Sequence, residues 1–268
     1  MYSVGWFSSG RGEGSRALLT AMQESIRRGE VRAKIEFVFC NREPGHSEET
    51  DRFLELVRSR AIPLVCFSSH GFRNKLVERK SPEAVRDWRL EYDREVMRRL
   101  REFQPDICVL AGYMLIVGPE MCRRYTMINL HPAAPGGPEG TWREVIWKLI
   151  EQGAEETGVM MHLVTPELDK GPPVTYCTFR ITGGDFDRIR EDARGLSMDE
   201  IKAQRDDNPL FRAIRREGMK RELPLIIATV KAFSEGRVRI QDGRVTDDAG
   251  RTIEAYSLTR EIDRTLPA

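Results

Sequence analysis

The chain has 268 residues, of which 40% are hydrophobic and 32% charged, a balance typical of a folded globular protein rather than a disordered or fibrous one. Its 43 Lys and Arg residues nearly match its 42 Asp and Glu residues, which gives a formal charge of +1. Composition therefore gives no support for nucleic acid or a membrane surface as a partner. The sequence shows no signal-peptide pattern and no apolar run of the roughly 18 residues that a membrane span needs, so we expect a cytoplasmic protein.

The five cysteines point to the same compartment. They are widely spaced and lie mostly within apolar runs, and no CxxC pair or Cys/His cluster occurs. Disulfide bonds and a zinc site are both disfavoured, so no metal is expected. We expect reduced, buried thiols at Cys40, Cys66, Cys108, Cys122 and Cys177.

Residues 1–182 alternate short apolar runs with amphipathic segments. The predicted strands are residues 3–7, 33–39, 63–67, 107–110 and 127–130, and the predicted helices are residues 15–28, 47–60 and 82–103. Residues 68–81 are polar and basic, which predicts a surface loop or a short extra helix. Strands that alternate with helices predict βαβ units, and hence an α/β, Rossmann-like fold whose twisted, mostly parallel sheet is flanked by helices.

Beyond residue 182 the pattern changes twice. Residues 183–208 are heavily charged and predict a solvated insertion. Residues 209–233 predict an amphipathic helix, with Pro224 marking a kink or break. After Gly236, short β-like runs separated by Asp-Gly and Ala-Gly turns predict a small C-terminal β-meander. We expect residues 209–268 to pack, as a helix and a β-meander, on the domain formed by residues 1–182.

The strand at residues 127–130 leads into an Asn-Leu-His-Pro sequence that begins at Asn129. In an open parallel α/β sheet, ligands bind beyond the carboxyl ends of the strands. Asn129 and His131 are two residues apart, so an extended chain projects both to one side, and Pro132 stiffens the exit. Such a pair suits the stabilisation of a carbonyl oxygen that gains negative charge. Taken alone, it is also consistent with a loop cap and a structural histidine.

A second segment, residues 157–174, predicts a strand, a short loop and another strand, with Asp169 in the loop. The two prolines after Gly171 restrict the backbone of this loop, whereas Gly171 itself can adopt conformations that other residues rarely adopt. Such a loop is a platform for the Asp169 carboxylate and for backbone groups that read the edge of a heterocycle. On its own, the segment is equally consistent with a surface turn.

Together these segments resemble the glycinamide ribonucleotide formyltransferases of purine biosynthesis, which are folate-dependent. The resemblance spans residues 2–182 and resumes weakly over residues 210–240. It rests on Asn-x-His-Pro and Leu-Asp-x-Gly-Pro in this order behind the strand VLAGYM, together with FSSGRGEGSRALL, GTWREVIWKLIEQG and AFSEGRVRI. The resemblance implies that residues 1–182 are the catalytic domain and that Asn129, His131 and Asp169 are its catalytic residues.

The resemblance also implies a mechanism. An amine would attack the formyl carbon of the co-substrate, 10-formyltetrahydrofolate, and a tetrahedral intermediate would form. Asn129 and protonated His131 would stabilise its oxyanion. Asp169 would orient His131 and help move the proton of the attacking amine to N10 of the folate. No metal is required.

Two binding regions follow from the same resemblance. A Gly-rich loop between the first strand and the first helix would hold the phosphate of the ribonucleotide, since helix N-termini favour anions. Its residues are Gly10, Arg11, Gly12, Glu13, Gly14 and Ser15. The residues implied to contact the folate are Arg89, Met114, Leu115, Ile116, Val117 and Leu168. The apolar residues 114–117 are also consistent with a position in the hydrophobic core, and Arg89 is also consistent with a position on the solvent-exposed face of a helix.

The chain departs from the family pattern in three places. The loop after His131 reads Ala-Ala-Pro-Gly-Gly, without the Ser-Leu-Leu and the histidine that are usual in the family. Leu115 stands where the family often has an arginine, and the phosphate loop carries extra residues, including Arg11 and Glu13. Insertions at residues 70–85 and 183–208 add to these differences. The resemblance therefore supports the catalytic residues more strongly than the acceptor.

Four other functions stay open. The acceptor could be another amine, such as an amino sugar nucleotide, or water, as in 10-formyltetrahydrofolate deformylases, which tend to carry a further N-terminal domain. The Gly-rich loop could belong to a nucleotide-binding oxidoreductase, but the second strand ends in Phe-Cys-Asn-Arg, without the acidic residue that binds a ribose. A binding protein without turnover is the fourth. Small-molecule substrates are the expected partners, and a homodimer is one option for the subunit number.

Overall fold

The protein is described by a computed structural model over residues 1–79 and 88–266. The strands in this part of the chain are β1 Tyr2–Ser8, β2 Ala33–Cys40, β3 Leu64–Cys66, β4 Ile107–Leu110, β5 Met127–His131, β6 Glu156–Leu163, β7 Pro173–Arg180, β8 Val238–Gln241, β9 Arg244–Asp247 and β10 Tyr256–Ser257. The α-helices are α1 Glu13–Arg27, α2 Glu48–Ser59, α3 Ser69–Arg79, α4 Trp88–Arg99, α5 Pro119–Arg124, α6 Trp142–Glu151, α7 Gly184–Asp192, α8 Met198–Ala203, α9 Pro209–Ser234 and α10 Thr259–Asp263. A 3₁₀ helix covers Arg205–Asp207.

Eight strands form one sheet in the order β10-β7-β6-β5-β4-β1-β2-β3. Neighbouring strands pair in parallel except at β6, which is antiparallel to both β5 and β7. The predicted α/β, mostly parallel fold is therefore confirmed. Because β6 runs against β5, the last residue of β5, His131, lies opposite Met160 in the middle of β6, and Asn129 lies opposite His162.

The central strands are apolar along their length because helices cover both faces of the sheet. Every residue of β4 is buried, as a strand with two covered faces requires. One face packs against α1, α2 and α9 through a cluster that includes Trp6, Leu19 and Leu225. The opposite face packs against α4 and α5 through a cluster that includes Phe7 and Tyr92.

Two predicted segments on the α4 side of the sheet correspond to the helices α3 and α4. Residues 68–81 contain the helix α3, the second of the two forms expected for them. The helix predicted over residues 82–103 corresponds to α4 where it is described, and it ends at Arg99 rather than at residue 103. Its predicted start at residue 82 lies outside the described residues.

The helix α9 runs unbroken through Pro224, so of the two expected effects, a kink or a break, the break does not occur. Proline removes one backbone donor from a helix and normally interrupts it. Here the residues on both sides are anchored: Phe211 and Ile214 pack with α6, and Leu225 and Val230 pack into the main core. The burial of both halves of the helix outweighs the local cost of the proline.

The segments around α9 also differ in detail from the expectation. Residues 183–208 contain α7, α8 and the 3₁₀ helix, and none of these three helices has a buried residue. Where the small β-meander was predicted, β8 and β9 form an antiparallel hairpin, and Thr252 forms an isolated antiparallel bridge with Thr246 of β9. The next strand, β10, leaves the hairpin and joins the edge of the main sheet in parallel with β7.

The five cysteines are free thiols, but only three are buried, because Cys66 and Cys122 are half-buried. Burial raises the pKa of the Cys66 thiol to about 11, and that of Cys122 likewise to about 11. No helix in the described ranges has the length and apolarity of a membrane span.

Candidate active site

A cavity of about 510 Å³ opens where β4 and β5 end. Its size lies within the usual range for small-molecule sites. The residues that line it include two of the predicted catalytic residues and all six predicted folate contacts: Asn129, Asp169, Arg89, Met114, Leu115, Ile116, Val117 and Leu168. The structure therefore brings the end of β5, the loop after β4 and the loop after β6 to one cavity.

The cavity wall is mostly apolar, with polar groups at its ends. Leu110, Ile116 and Val164 form part of the wall. At its rim, Met114 and Leu168 are each 60% exposed, which is unusual for large apolar side chains. A bound ring system would cover both. This arrangement suits a flat heterocycle that carries a few hydrogen-bonding groups.

Asn129 is held by a histidine on the neighbouring strand. Asn129 and His162 are cross-strand partners in the β5–β6 ladder, and Nδ2 of Asn129 lies 3.3 Å from Nε2 of His162. The other ring nitrogen, Nδ1, lies 3.0 Å from the carbonyl oxygen of Leu163, which can only accept a hydrogen bond. Nδ1 therefore carries the proton, and Nε2 accepts from the Asn129 amide. Burial lowers the pKa of His162, which favours this neutral form.

His131 is buried behind the cavity wall and is not itself among the lining residues. Its Nε2 lies 3.1 Å from the carbonyl oxygen of Pro138, so this nitrogen is the donor. Its Nδ1 faces Asp169, with 4.0 Å between Nδ1 and Oδ2. The Pro/Gly-rich loop after His131 thus fixes the ring, and the remaining nitrogen is directed towards the carboxylate.

The carboxylate of Asp169 lies between two imidazole rings. Oδ1 is 3.6 Å from Nε2 of His162 and Oδ2 is 4.0 Å from Nδ1 of His131. Asp169 has a positive φ of 55°, a conformation that aspartate tolerates better than most residues and that is common at functional sites. Two residues later, a Cβ on Gly171 would lie 1.6 Å from the carbonyl oxygen of Leu163, so only glycine fits there. This close approach fixes the loop that carries the carboxylate.

The Gly-rich loop lies beside this cavity. Gly10 has a φ of 55° and packs against Phe53, while Glu13, Gly14 and Ser15 form the first turn of α1. The residue before α1 is Gly12, which has no side chain to cap the first N–H groups of the helix. Ser9 links the loop to the cavity, because its hydroxyl accepts a hydrogen bond of 3.1 Å from the Met114 N–H. The predicted phosphate residues therefore form a loop and a helix start, in which the N–H groups of Gly10 and Ser15 already have acceptors in Ser8 and Gly12.

Sequence reasoning did not assign a role to His162. The signal was its place on the strand before the Asp169 loop, but its contact with Asn129 depends on the antiparallel pairing of β5 and β6. Sequence reasoning also missed three residues that line the cavity, Gly140, Thr141 and Glu144. Thr141 and Glu144 form the capping box at the start of α6, and Gly140 precedes it. Among the described residues, no group of three or more His, Cys, Asp or Glu side chains is arranged to hold a metal ion.

Known proteins are similar to this chain in sequence and in fold. The family model described as formyl transferase matches residues 6–189 of this chain, a range that includes Asn129, His131 and Asp169. Phosphoribosylglycinamide formyltransferase of Escherichia coli strain K12 is 27% identical over 248 residues, which cover 91% of this chain and 92% of that protein. The protein of the same name from Schizosaccharomyces pombe is 30% identical over 173 residues, which cover 62% of this chain and 76% of that protein. The structure of a phosphoribosylglycinamide formyltransferase from Coxiella burnetii superposes with a TM-score of 0.66 at 19% identity, covering 96% of this chain and 98% of that one, and it shows the same fold.

Proposed function

The chain belongs to the formyl transferase family, and from this membership we propose that it transfers the formyl group of 10-formyltetrahydrofolate to the amine of glycinamide ribonucleotide, in the cytoplasm. One observation carries the proposal: Asp169 lies between His131 and His162, next to Asn129, at the end of a cavity shaped for a heterocycle. The acceptor is supported by the names of the two relatives described above.

The cavity suits the folate end of the donor. Its apolar wall would take the flat pterin ring, and the exposed side chains of Met114 and Leu168 would close over it. Arg89 lies at the same cavity, where a cation would pair with the glutamate end of the folate. The Gly-rich loop and the uncapped start of α1 would take the phosphate of the ribonucleotide.

The catalytic residues would act in sequence. The amine nitrogen bonds to the formyl carbon, and the electron pair of the C=O bond moves to oxygen. Asn129 uses one of its two N–H groups on His162, so the second is free to donate to that oxyanion. His131 would contribute positive charge near the oxyanion once its ring is protonated, because its Nε2 is held by the Pro138 carbonyl and its Nδ1 faces Asp169. The Asn129 donor and this charge then stabilise the negative charge where it develops, which is the largest contribution to many acyl-transfer reactions.

Asp169 would move the proton. Its carboxylate accepts a proton from the attached ammonium nitrogen and delivers it to N10 of the folate as the bond between N10 and the formyl carbon breaks. The products are the ribonucleotide with a formyl group on its amine nitrogen and tetrahydrofolate, and the Asp169 carboxylate is regenerated. We further propose that residues 1–182 are the catalytic domain, that residues 183–208 are an insertion, and that residues 209–268 pack on the same domain.

The test is the dependence of donor consumption on the acceptor. Consumption of 10-formyltetrahydrofolate would be followed by absorbance with and without glycinamide ribonucleotide. The proposal expects turnover only when the ribonucleotide is present. Equal consumption without the ribonucleotide would indicate hydrolysis. Consumption that requires a different amine would show that this amine, and not glycinamide ribonucleotide, is the acceptor.

A further inference from the structure

The cavity contains a carboxylate, that of Glu144, to which the proposed reaction gives no role. The loop between β5 and α6 begins directly after His131 and ends at Thr141, the N-cap residue of α6. Thr141 and Glu144 line the same cavity as Asn129 and Asp169. The start of α6 therefore presents a carboxyl group to the space in which the proposed reaction takes place.

Glu144 is held in place by the first turn of its own helix. Its Oε2 accepts a hydrogen bond of 2.7 Å from the Thr141 N–H, and its own N–H donates to the Thr141 hydroxyl at 3.4 Å. The carboxylate also lies directly against Gly140, because a Cβ on that residue would be 2.7 Å from Oε2. A carboxylate has about four acceptor sites on its two oxygens, so the cap leaves capacity for a ligand.

The carboxyl group of Glu144 is ionised at neutral pH, and no ion pair neutralises it. The Thr141 N–H, then the Thr141 hydroxyl and lastly the charge of Lys148 hold the pKa of Glu144 below its ordinary value. Within residues 1–79 and 88–266, no Lys, Arg or His nitrogen lies within 4.0 Å of this carboxylate. Lys148, one turn further along the helix, instead donates from Nζ to the carbonyl oxygen of Glu139 at 2.8 Å.

The other carboxylates that line the cavity have basic neighbours. Glu167 lies 3.8 Å from the Lys170 ammonium group, and its side chain is 75% exposed. Asp169 lies between two imidazole rings, at 3.6 and 4.0 Å. In the part of the chain that the structure describes, Glu144 is thus the carboxylate of the cavity wall that has no basic side chain within 4.0 Å.

A primary amine that accepts a formyl group reaches the cavity largely as an ammonium ion, since α-amino groups have pKa values near about 8. We propose that Glu144 is a specificity-determining residue, which pairs with the ammonium form of the acceptor and so selects primary amines over neutral groups of the same shape. Charge-assisted hydrogen bonds of this kind are stronger than those between neutral groups. The pair is a binding contact only: the ammonium releases one proton to water before its nitrogen attacks. This role rests on the proposed function, because it concerns the acceptor of that reaction.

Glu144→Gln separates the charge from the cap, because glutamine also completes a capping box. The chain offers a matched control in Glu200→Gln. Glu200 forms the same capping box with Ser197 at the start of α8, and the Ser197 N–H lowers its pKa in the same way. Glu200 does not line the cavity. Both glutamine variants should unfold at the wild-type temperature.

Calorimetry without any formyl donor, at about pH 7, compares two ligands: glycinamide ribonucleotide and the analogue in which a hydroxyl group replaces the amine. The wild type should bind the amine about three- to tenfold more tightly, a modest preference because Glu144 is exposed to solvent. Glu144→Gln should lose most of this preference, and Glu200→Gln should keep it. The preference should also shrink above about pH 8, where the ammonium loses its charge, and at high salt, which screens the pair.

Two results would overturn the proposal. One is a wild type that binds the amine and the hydroxyl analogue equally. The other is a Glu144→Gln variant that keeps the wild-type preference. If Glu144 only caps α6, this second result is expected, and Glu144→Ala will unfold at a lower temperature than Glu144→Gln without any change in the preference.

Failure of the proposed function gives a different result. If the wild type formylates another amine instead of the ribonucleotide, the proposed acceptor is wrong, and Glu144→Gln should raise the KM for that amine about three- to tenfold. The kcat should stay within about threefold, because the nitrogen carries positive charge both in the bound ammonium and in the tetrahedral intermediate. If the ribonucleotide is formylated and Glu144→Gln leaves its KM unchanged, the proposed function stands and the role of Glu144 is wrong. A wild type that binds and formylates no amine would overturn both.

Discussion

The amide of Asn129 donates a hydrogen bond of 3.3 Å to Nε2 of His162 across the β5–β6 ladder. His162 in turn donates from Nδ1 to the Leu163 carbonyl, so its ring cannot rotate without breaking that bond. The orientation of the Asn129 amide is therefore set by a residue on another strand. This places His162 among the residues that prepare the site, as a positioning residue that acts through Asn129.

Replacing His162 with leucine removes the acceptor for the Asn129 amide. We expect kcat for formyl transfer to fall about 10- to 100-fold, less than the roughly 10²–10³-fold loss typical when an oxyanion donor is removed outright. The KM for the folate should change little, because the apolar wall remains. Steady-state kinetics of His162→Leu, Asn129→Ala and the double variant would check this. If the two losses multiply in the double variant, the two residues act independently and the positioning role is wrong.

Asp169→Asn removes the proton carrier but keeps the shape of the side chain. The kcat should fall about 10²- to 10⁴-fold, the range for loss of a general acid or base. Folate binding, followed by fluorescence titration, should persist. Asp185→Asn is a matched control, since Asp185 is exposed on α7 and is not among the residues that line the cavity. Full activity in Asp169→Asn would show that another group transfers the proton.

Leu168→Ser tests whether the exposed rim is a folate contact. The side chain is 60% exposed, so its loss should change the free energy of unfolding by no more than about 0.5 kcal/mol. If the folate covers it, the KM for the donor should rise about three- to tenfold, as expected for part of a leucine's burial. Leu196→Ser, at another exposed leucine, should leave this KM unchanged. An unchanged KM in both variants would remove Leu168 from the folate site.

Asp93 supports the cavity wall from α4 and gives stability a pH dependence. Its Oδ2 accepts a 2.6 Å hydrogen bond from the N–H of Gly118, next to Val117. Burial raises the pKa of Asp93 to about 6, against the opposing effects of the Gly118 N–H and Arg89. Because this folded-state pKa exceeds the ordinary value of 3.8, its contribution to stability is fully present only at lower pH and is lost as pH rises through about 6.

Asp93→Asn removes this titration while an amide oxygen can still accept from Gly118. Relative to the wild type, the variant should therefore gain about 1–2 kcal/mol in free energy of unfolding between about pH 5 and about pH 8. Urea denaturation at both pH values would measure the difference. Asp185→Asn, at an exposed carboxyl on α7, is the control for the loss of one negative charge. If the variant instead loses free energy of unfolding relative to the wild type between these pH values, the carboxylate form of Asp93 is stabilised in the folded state.

The sequence was most informative where local pattern decides structure. The apolar run into Asn129 and His131 identified β5, and the Gly-Pro-Pro exit after Asp169 identified the second loop, because both signals lie within a few residues. These predict which elements reach the cavity. The pairing of Asn129 with His162 could not be predicted in the same way, since it depends on which strands become neighbours and on the reversed direction of β6.

Long-range packing also accounts for the predictions that were wrong. Pro224 lies within a continuous helix because residues on both sides of it are buried in different clusters. The local tendency of proline to interrupt a helix does not include this burial. Similarly, β10 joins β7 rather than the hairpin, and its two residues alone give no preference between these partners.

The most direct test of the whole account follows the formyl group itself. The purified protein would be incubated with glycinamide ribonucleotide and a donor carrying a ¹³C-labelled formyl group, and the ribonucleotide would be analysed by mass spectrometry. The account predicts that the ribonucleotide gains one labelled formyl group, that tetrahydrofolate appears in equal amount, and that Asp169→Asn slows the formation of both about 10²- to 10⁴-fold. Labelled formate in place of labelled ribonucleotide, at the same rate with and without acceptor, would contradict it.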